Sequence, residues 1–201
     1  MRLLRRGFIG GVATIAALPA MAQPTPSREM VQLSTGAGLI IVELATEKAP
    51  ITTANFLRYV DERRFDGARF YRAMRTAAAP PAGLIQGGLE NDPSQALGPI
   101  AHESTLATGL RHVDGVISMA RYAPGTASSE FFICVGAQSS LDADPSAPGD
   151  NAGFAAFGRV VAGMDVVRAI LASPVSATAG DGAMRGQMLD PPVMISTARR
   201  S

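Results

Sequence analysis

The chain has 201 residues, with 18 Lys and Arg against 17 Asp and Glu, a formal charge of +1, no tryptophan and one cysteine. Residues 1–22 carry three of the arginines and no acid, so the remainder stands at −2 (15 basic against 17 acidic side chains), which excludes the basic footprint of a nucleic-acid binder. Cys134 alone excludes an intrachain disulfide, and the roughly 180 residues after the leader suffice for one core but not for two comfortable domains.

Arg2, Arg5 and Arg6 precede an uncharged apolar run, Gly7 to Leu18, and Ala20-Met21-Ala22 forms an A-x-A cleavage site. Residues 1–22 therefore read as a cleaved export signal and residues 23–201 as the mature domain. The run is about a dozen residues, short of the ~20 needed to span a bilayer, so no membrane anchor is expected. Arg5-Arg6-Gly7-Phe8-Ile9 resembles a twin-arginine signal, with an ordinary secretory signal as the alternative, and the periplasm is the expected destination.

Met30 to Leu33 and Leu39 to Leu44 are strand-like runs around a turn at Ser34 to Gly38. From Ile51 to about Arg64 the period becomes helical: Phe56, Tyr59 and Val60 share a face, Pro50 stands at the entry and Thr52 or Thr53 is available as a cap. Strands are predicted over Arg69 to Met74, Leu84 to Gln86, Val116 to Ala120, Phe131 to Val135 and Phe157 to Val161. Pro80-Pro81, Gly87-Gly88, Pro124-Gly125 and the loop Asp142 to Gly153 punctuate them. A second helix is predicted over Met164 to Leu171, and Val193 to Thr197 is a candidate closing strand. Composition and period alone give a small β-rich domain.

Five ordered segments are similar to the cyclophilin family. They are Asn55-Phe56-Leu57 followed by Arg69-Phe70-Tyr71-Arg72, then Ile85-Gln86-Gly87-Gly88, then Ser118-Met119-Ala120-Arg121 through Ser128-Ser129-Glu130-Phe131-Phe132-Ile133. Phe157-Gly158-Arg159-Val160 and Gly163-Met164-Asp165-Val166-Val167 complete the set. The resemblance implies a mainly β fold, a closed eight-stranded antiparallel barrel with two flanking helices. It also implies peptidyl-prolyl cis–trans isomerase activity without cofactor or metal. By the same resemblance Arg72 is the catalytic donor and Gln86 orients it or holds the substrate backbone. Leu84, Phe132 and Leu141 grip the proline ring, and Ala120 and Arg121 form the backbone rim where an extended peptide docks. Glu130, where the family usually has glutamine, either accepts from the peptide or faces solvent. The implied partners are proline-containing peptides and unfolded clients, met by a monomer.

The sequence also departs from the family. About six extra residues near Thr76 to Ala82 separate Arg72 from Gln86. Gly83 falls where a pocket phenylalanine is usual, Phe154 replaces a common histidine, and Ser140 stands where many members have a tryptophan that contacts cyclosporin. A thinner proline pocket is therefore expected. It leaves open an alternative, a proline-peptide binding module or chaperone with little turnover. His102-Glu103 reads as a loop pair, His112 as a turn residue and Cys134 as a small buried hydrophobe.

Overall fold

In the computed structural model, residues 28–77 and 80–201 are described; the predicted leader, residues 1–22, lies outside the described residues. Strands β1 (Met30–Thr35) and β2 (Gly38–Leu44) form the expected hairpin, with Val31 opposite Val42 and Leu33 opposite Ile40, all fully buried. The remaining strands are β3 (Arg69–Arg75), β4 (Gly83–Gly88), β5 (Val116–Met119), β6 (Phe131–Val135), β7 (Ala155–Ala162), β8 (Val175–Ser176) and β9 (Met188–Arg200). Their order is β1-β2-β7-β5-β6-β4-β3-β9, and β9 returns to pair with β1, so eight antiparallel strands close a barrel. The two-residue β8 pairs only with β9 and lies outside that circuit. Closure removes the unpaired edges an open sheet would expose.

Alternation decides what fills the barrel. Phe70 and Ala73 of β3, Ile85 of β4, Ile117 and Met119 of β5, Phe131, Ile133 and Val135 of β6 and Phe157 of β7 all join the main core. Each large apolar side chain so buried contributes about 1.5–3 kcal/mol. Helix α1 (Pro50–Asp61) brings Phe56 to within 5.1–5.4 Å, ring centre to ring centre, of Phe65, Phe131 and Phe157. Its Arg58, Asp61 and Glu62 face solvent, as the period requires.

The cap of α1 is a correction. Thr53 Oγ1 instead donates to the Ala49 carbonyl at 2.8 Å, and the Thr52 hydroxyl donates to Glu103 at 2.6 Å. The helix N-terminus is capped by Glu103, whose carboxylate accepts from the Ile51 and Thr52 N–H groups at 3.1 and 2.7 Å. A carboxylate at that end also meets the positive pole of the helix dipole. The helix stops at Asp61, short of Arg64, because Arg63 turns left-handed at φ 57°.

A four-residue helix, α2 (Thr105–Thr108), adds to the two expected, and α3 (Met164–Ala172) buries Val167, Ile170 and Leu171. A single turn has no room to display an apolar period, which is why α2 was invisible. Strand β9 is far longer than Val193–Thr197, its pattern being broken by Pro191 and Pro192.

Candidate active site on the outer face of the barrel

The outward-facing residues of β3, β4, β5 and β6 build a second, smaller cluster. Leu84, Phe132 and Cys134 are its buried centre, with Met74, Ala120, Leu141 and Phe154 packed around them. Cys134 is thus the small hydrophobe expected, and burial pushes its thiol up to about 12. Above this floor opens a cleft of about 420 Å³ reached by Arg72, Gln86, Leu84, Ala120, Phe132 and Leu141 together.

Arg72 reaches that face because β3 is irregular. Phe70 pairs with Gly87 and Arg72 with Gln86, leaving Tyr71 as the extra residue of a β-bulge. Phe70 and Ala73 point into the barrel, whereas the consecutive Tyr71 and Arg72 both border the cleft. A bulge re-aims side chains in this way next to active sites. The extra residues after Thr76 sit in the β3–β4 connection, where the Thr76 N–H meets the Ala82 carbonyl at 2.9 Å, and leave the Arg72–Gln86 pairing untouched.

The Arg72 guanidinium is held from two sides. Nη1 donates to Gln86 Oε1 and Nε donates to Gln187 Oε1, each at 2.8 Å. Both N–H groups of Nη2 have no protein acceptor among the described residues. Burial draws the guanidinium below its ordinary range, yet it stays charged at physiological pH. Gln187 was missed from the sequence. It lies in the Gly- and Ala-rich segment before β9, which shows no period, and is fixed by the Ala73 N–H donating to its carbonyl at 2.8 Å.

Gly83 has φ +147°, and a Cβ there would lie 1.9 Å from the Met74 carbonyl oxygen, so no side chain fits. Met74 occupies the floor from the neighbouring strand instead. Phe154 meets Phe132 edge-on at 5.6 Å, and the Arg121 guanidinium sits 4.9 Å over the Phe154 ring. Phe154 thereby walls the pocket where histidine was expected. Ser140 is exposed beside Leu141 on a short 3-10 turn, Ser139–Leu141.

Arg121 lines the cleft beside Ala120, and its side chain is 2 % exposed and donates to Asp150 at 2.6 Å and to the Gly153 carbonyl, pinning the loop that carries Phe154. Glu130 does not face solvent, although it borders the cleft. It is 5 % exposed and accepts from the Leu89 and Asn91 N–H groups, the Ser129 hydroxyl and the Tyr71 phenol. Burial, reinforced by the Glu130 charge, raises the Tyr71 phenol far above its usual range, so it remains a donor.

His112 is no turn residue. Its imidazole stacks on Phe132 at 5.9 Å, buried between Asp142 Oδ1 at 2.7 Å and the Ser118 hydroxyl at 2.9 Å. The carboxylate only accepts, so Nδ1 carries the proton and Nε2 accepts from Ser118. Burial lowers the imidazole against the pull of Asp142, keeping it neutral. His102 stays a loop residue, with Nε2 3.0 Å from the Ala152 carbonyl. Among the described residues no group of three or more His, Cys, Asp or Glu side chains is placed to hold a metal ion.

A charged donor with no acceptor for its Nη2 among the described residues, beside an apolar socket on the outer face of a closed eight-stranded barrel, defines the site. Residues 30–199 match the family described as "Cyclophilin type peptidyl-prolyl cis-trans isomerase/CLD". The chain is 37 % identical over 149 residues to a peptidyl-prolyl cis-trans isomerase of Acinetobacter baylyi, covering 73 % of this chain and 74 % of that one. It is 35 % identical to one from Streptomyces antibioticus, over 84 % of this chain and 96 % of the relative. A cyclophilin type peptidyl-prolyl cis-trans isomerase from Cryptosporidium parvum shares the fold at 19 % identity, TM-score 0.67, covering 87 % of this chain and 98 % of that one. The same protein was also solved in the presence of the dipeptide Ala-Pro. The chain belongs to the cyclophilin family, and its activity is that of a peptidyl-prolyl cis–trans isomerase.

Proposed function

We propose that Arg72 catalyses rotation about X-Pro bonds by donating to the prolyl nitrogen. A peptide bond resists rotation by about 18–20 kcal/mol because the nitrogen lone pair is shared with the carbonyl. At the twisted geometry the lone pair localises on nitrogen, which becomes a hydrogen-bond acceptor. A donor fixed over it binds the transition state better than either planar isomer, and only such differential binding raises kcat. The observation that carries this reading is the clamped Arg72, a cleft residue whose Nε and Nη1 donate to Gln187 and Gln86 and whose Nη2 has no protein acceptor among the described residues. Its planar fork allows Nε and Nη1 to be anchored while Nη2 remains free to donate.

The proline ring rests on Leu84, Phe132 and Leu141, with Met74 and Phe154 closing the sides. The flanking peptide lies along Ala120 and Tyr122 toward Thr126 and Asn91. Support for a proline peptide as ligand comes from the relative solved in the presence of Ala-Pro. The alternative, a mere binding module, rests on a thin pocket, and the packing of Met74 and Phe154 around the socket favours turnover instead.

The proposal extends to setting. Residues 1–22 direct export, cleavage leaves a domain beginning near Gln23, and the clients are exposed X-Pro bonds of unfolded or newly exported proteins in the periplasm, met by a monomer. The reading is tested by exchange NMR or a protease-coupled assay of residues 23–201 on X-Pro peptides. Turnover that falls about 10²–10³-fold in Arg72→Ala supports it. Peptide binding without turnover in the parent protein refutes it.

A further inference from the structure

The clamp on Arg72 continues inward. Gln86 Oε1 accepts from Arg72 at 2.8 Å, while Gln86 Nε2 donates to the Tyr71 oxygen at 2.7 Å. Tyr71 in turn donates to Glu130 Oε2 at 2.6 Å. Glu130 Oε1 accepts from the Leu89 N–H at 2.9 Å, the Asn91 N–H at 3.1 Å and the Ser129 hydroxyl at 3.0 Å. Gln86, Tyr71 and Glu130 are each at most 8 % exposed. The carboxylate is packed against the Gly88 backbone, where an added Cβ would lie 2.7 Å from Glu130 Oε2.

The direction of this line is fixed at both ends, and the two ends agree: the Arg72 guanidinium only donates and the Glu130 carboxylate only accepts. Tyr71 therefore gives its one proton to Glu130, and its oxygen is left only to accept. Gln86 can then donate its NH₂ group to Tyr71 while its carbonyl oxygen stays on Arg72. We infer that Glu130, through Tyr71, is a positioning residue that locks Gln86 in the sense Arg72 needs and so holds Arg72 over the substrate. The inference rests on Arg72 being the transition-state donor.

Glu130→Gln changes the charge and hardly the shape. The three donors at Oε1 demand an oxygen there, which leaves an NH₂ group facing Tyr71. The Tyr71 proton then has only Gln86 to receive it. The two ends of the line now conflict: either Gln86 reverses and its NH₂ group confronts the Arg72 guanidinium, or the Tyr71 proton is left buried without an acceptor and Gln86 loses its lock. Either way, one of the two anchors of Arg72 is weakened.

The test compares the parent, Arg72→Ala, Glu130→Gln, Tyr71→Phe and Glu130→Gln/Tyr71→Phe on one X-Pro peptide, with thermal unfolding of each. Glu130→Gln should lower kcat about tenfold, equivalent to about 1.4 kcal/mol, and leave KM within about twofold. Tyr71→Phe cuts the same line and should cost about the same, with the double variant no worse than either single one. The inference is overturned if a folded single variant keeps kcat within twofold of the parent while Arg72→Ala is crippled. It is equally overturned if the two losses multiply in the double variant. Full activity in Arg72→Ala sinks the Arg72 reading and this one with it. Should Glu130→Gln not fold, Tyr71→Phe, which keeps the carboxylate and its three other donors, decides by the same twofold criterion.

Discussion

Replacing Gln187 by alanine removes the acceptor of Arg72 Nε and leaves Gln86 as the sole anchor. A hydrogen bond to a charged group contributes about 1.5–3 kcal/mol. Arg72 is only half-buried, so water takes over part of the lost contact and the low end applies, roughly tenfold in rate. The loss should fall on kcat, because the guanidinium wanders from the nitrogen while the proline socket of Leu84, Phe132 and Leu141 is untouched. Gln187→Glu keeps an acceptor at the same place and should retain most of the rate. The assay is initial-rate kinetics on one X-Pro peptide with all variants at equal concentration and their melting curves in parallel. If Gln187→Ala stays within twofold of the parent while Arg72→Ala is nearly inactive, Gln86 alone positions the donor and the two-sided clamp is wrong.

Other outcomes follow from the same contacts. Burial lowers the His112 imidazole below its ordinary value of about 6.5, so between the two values the unfolded chain holds the extra proton. Stability from this source is complete above about pH 6.5 and is lost as pH falls through 6.5 toward the folded value; Tm should drop from pH 7 to 5, and His112→Asn should flatten that drop. An equal slope in both proteins would contradict the placement of neutral His112. Gly83→Phe should not enlarge the pocket wall but destabilise the barrel by about 3 kcal/mol, roughly 6–12 °C in Tm, since its Cβ collides with the Met74 carbonyl; an unchanged melting curve would mean the strand yields easily. Mass spectrometry of periplasmic protein should find a chain starting near Gln23, and Arg5-Arg6 changed to Lys-Lys should block export; normal export of that variant points to the general secretory route.

The strands were legible because short apolar runs such as Phe131 to Val135 stand between turn residues, and the order of the motifs carried the closed barrel. Arg72, Gln86, Leu84, Phe132 and Leu141 were placed by motif and do meet in one cleft. The local irregularities were not legible. Strict alternation sends Tyr71 and Arg72 to opposite faces, and only the bulge puts both on the outside. Gln187 lies 115 positions from Arg72 in a segment without period, so nothing local announces it. Glu130 read as a peptide acceptor or a solvent-facing group and His112 as a turn residue, because burial of a polar group depends on partners supplied from other strands and loops. Glu103 caps a helix some fifty residues upstream, a contact no capping-box spacing encodes. Gly83 looked like a gap in the pocket, when the gap is what lets Met74 fill it.

Exchange NMR on a single X-Pro peptide, titrated with the parent and with Arg72→Ala, yields the peptide Kd and the catalysed rotation rate from the same sample. A transition-state donor predicts a rate loss of about 10²–10³-fold with Kd within a few-fold of the parent. A rate that falls only in proportion to weakened binding, or does not fall, would contradict Arg72 as the group that stabilises the twisted bond.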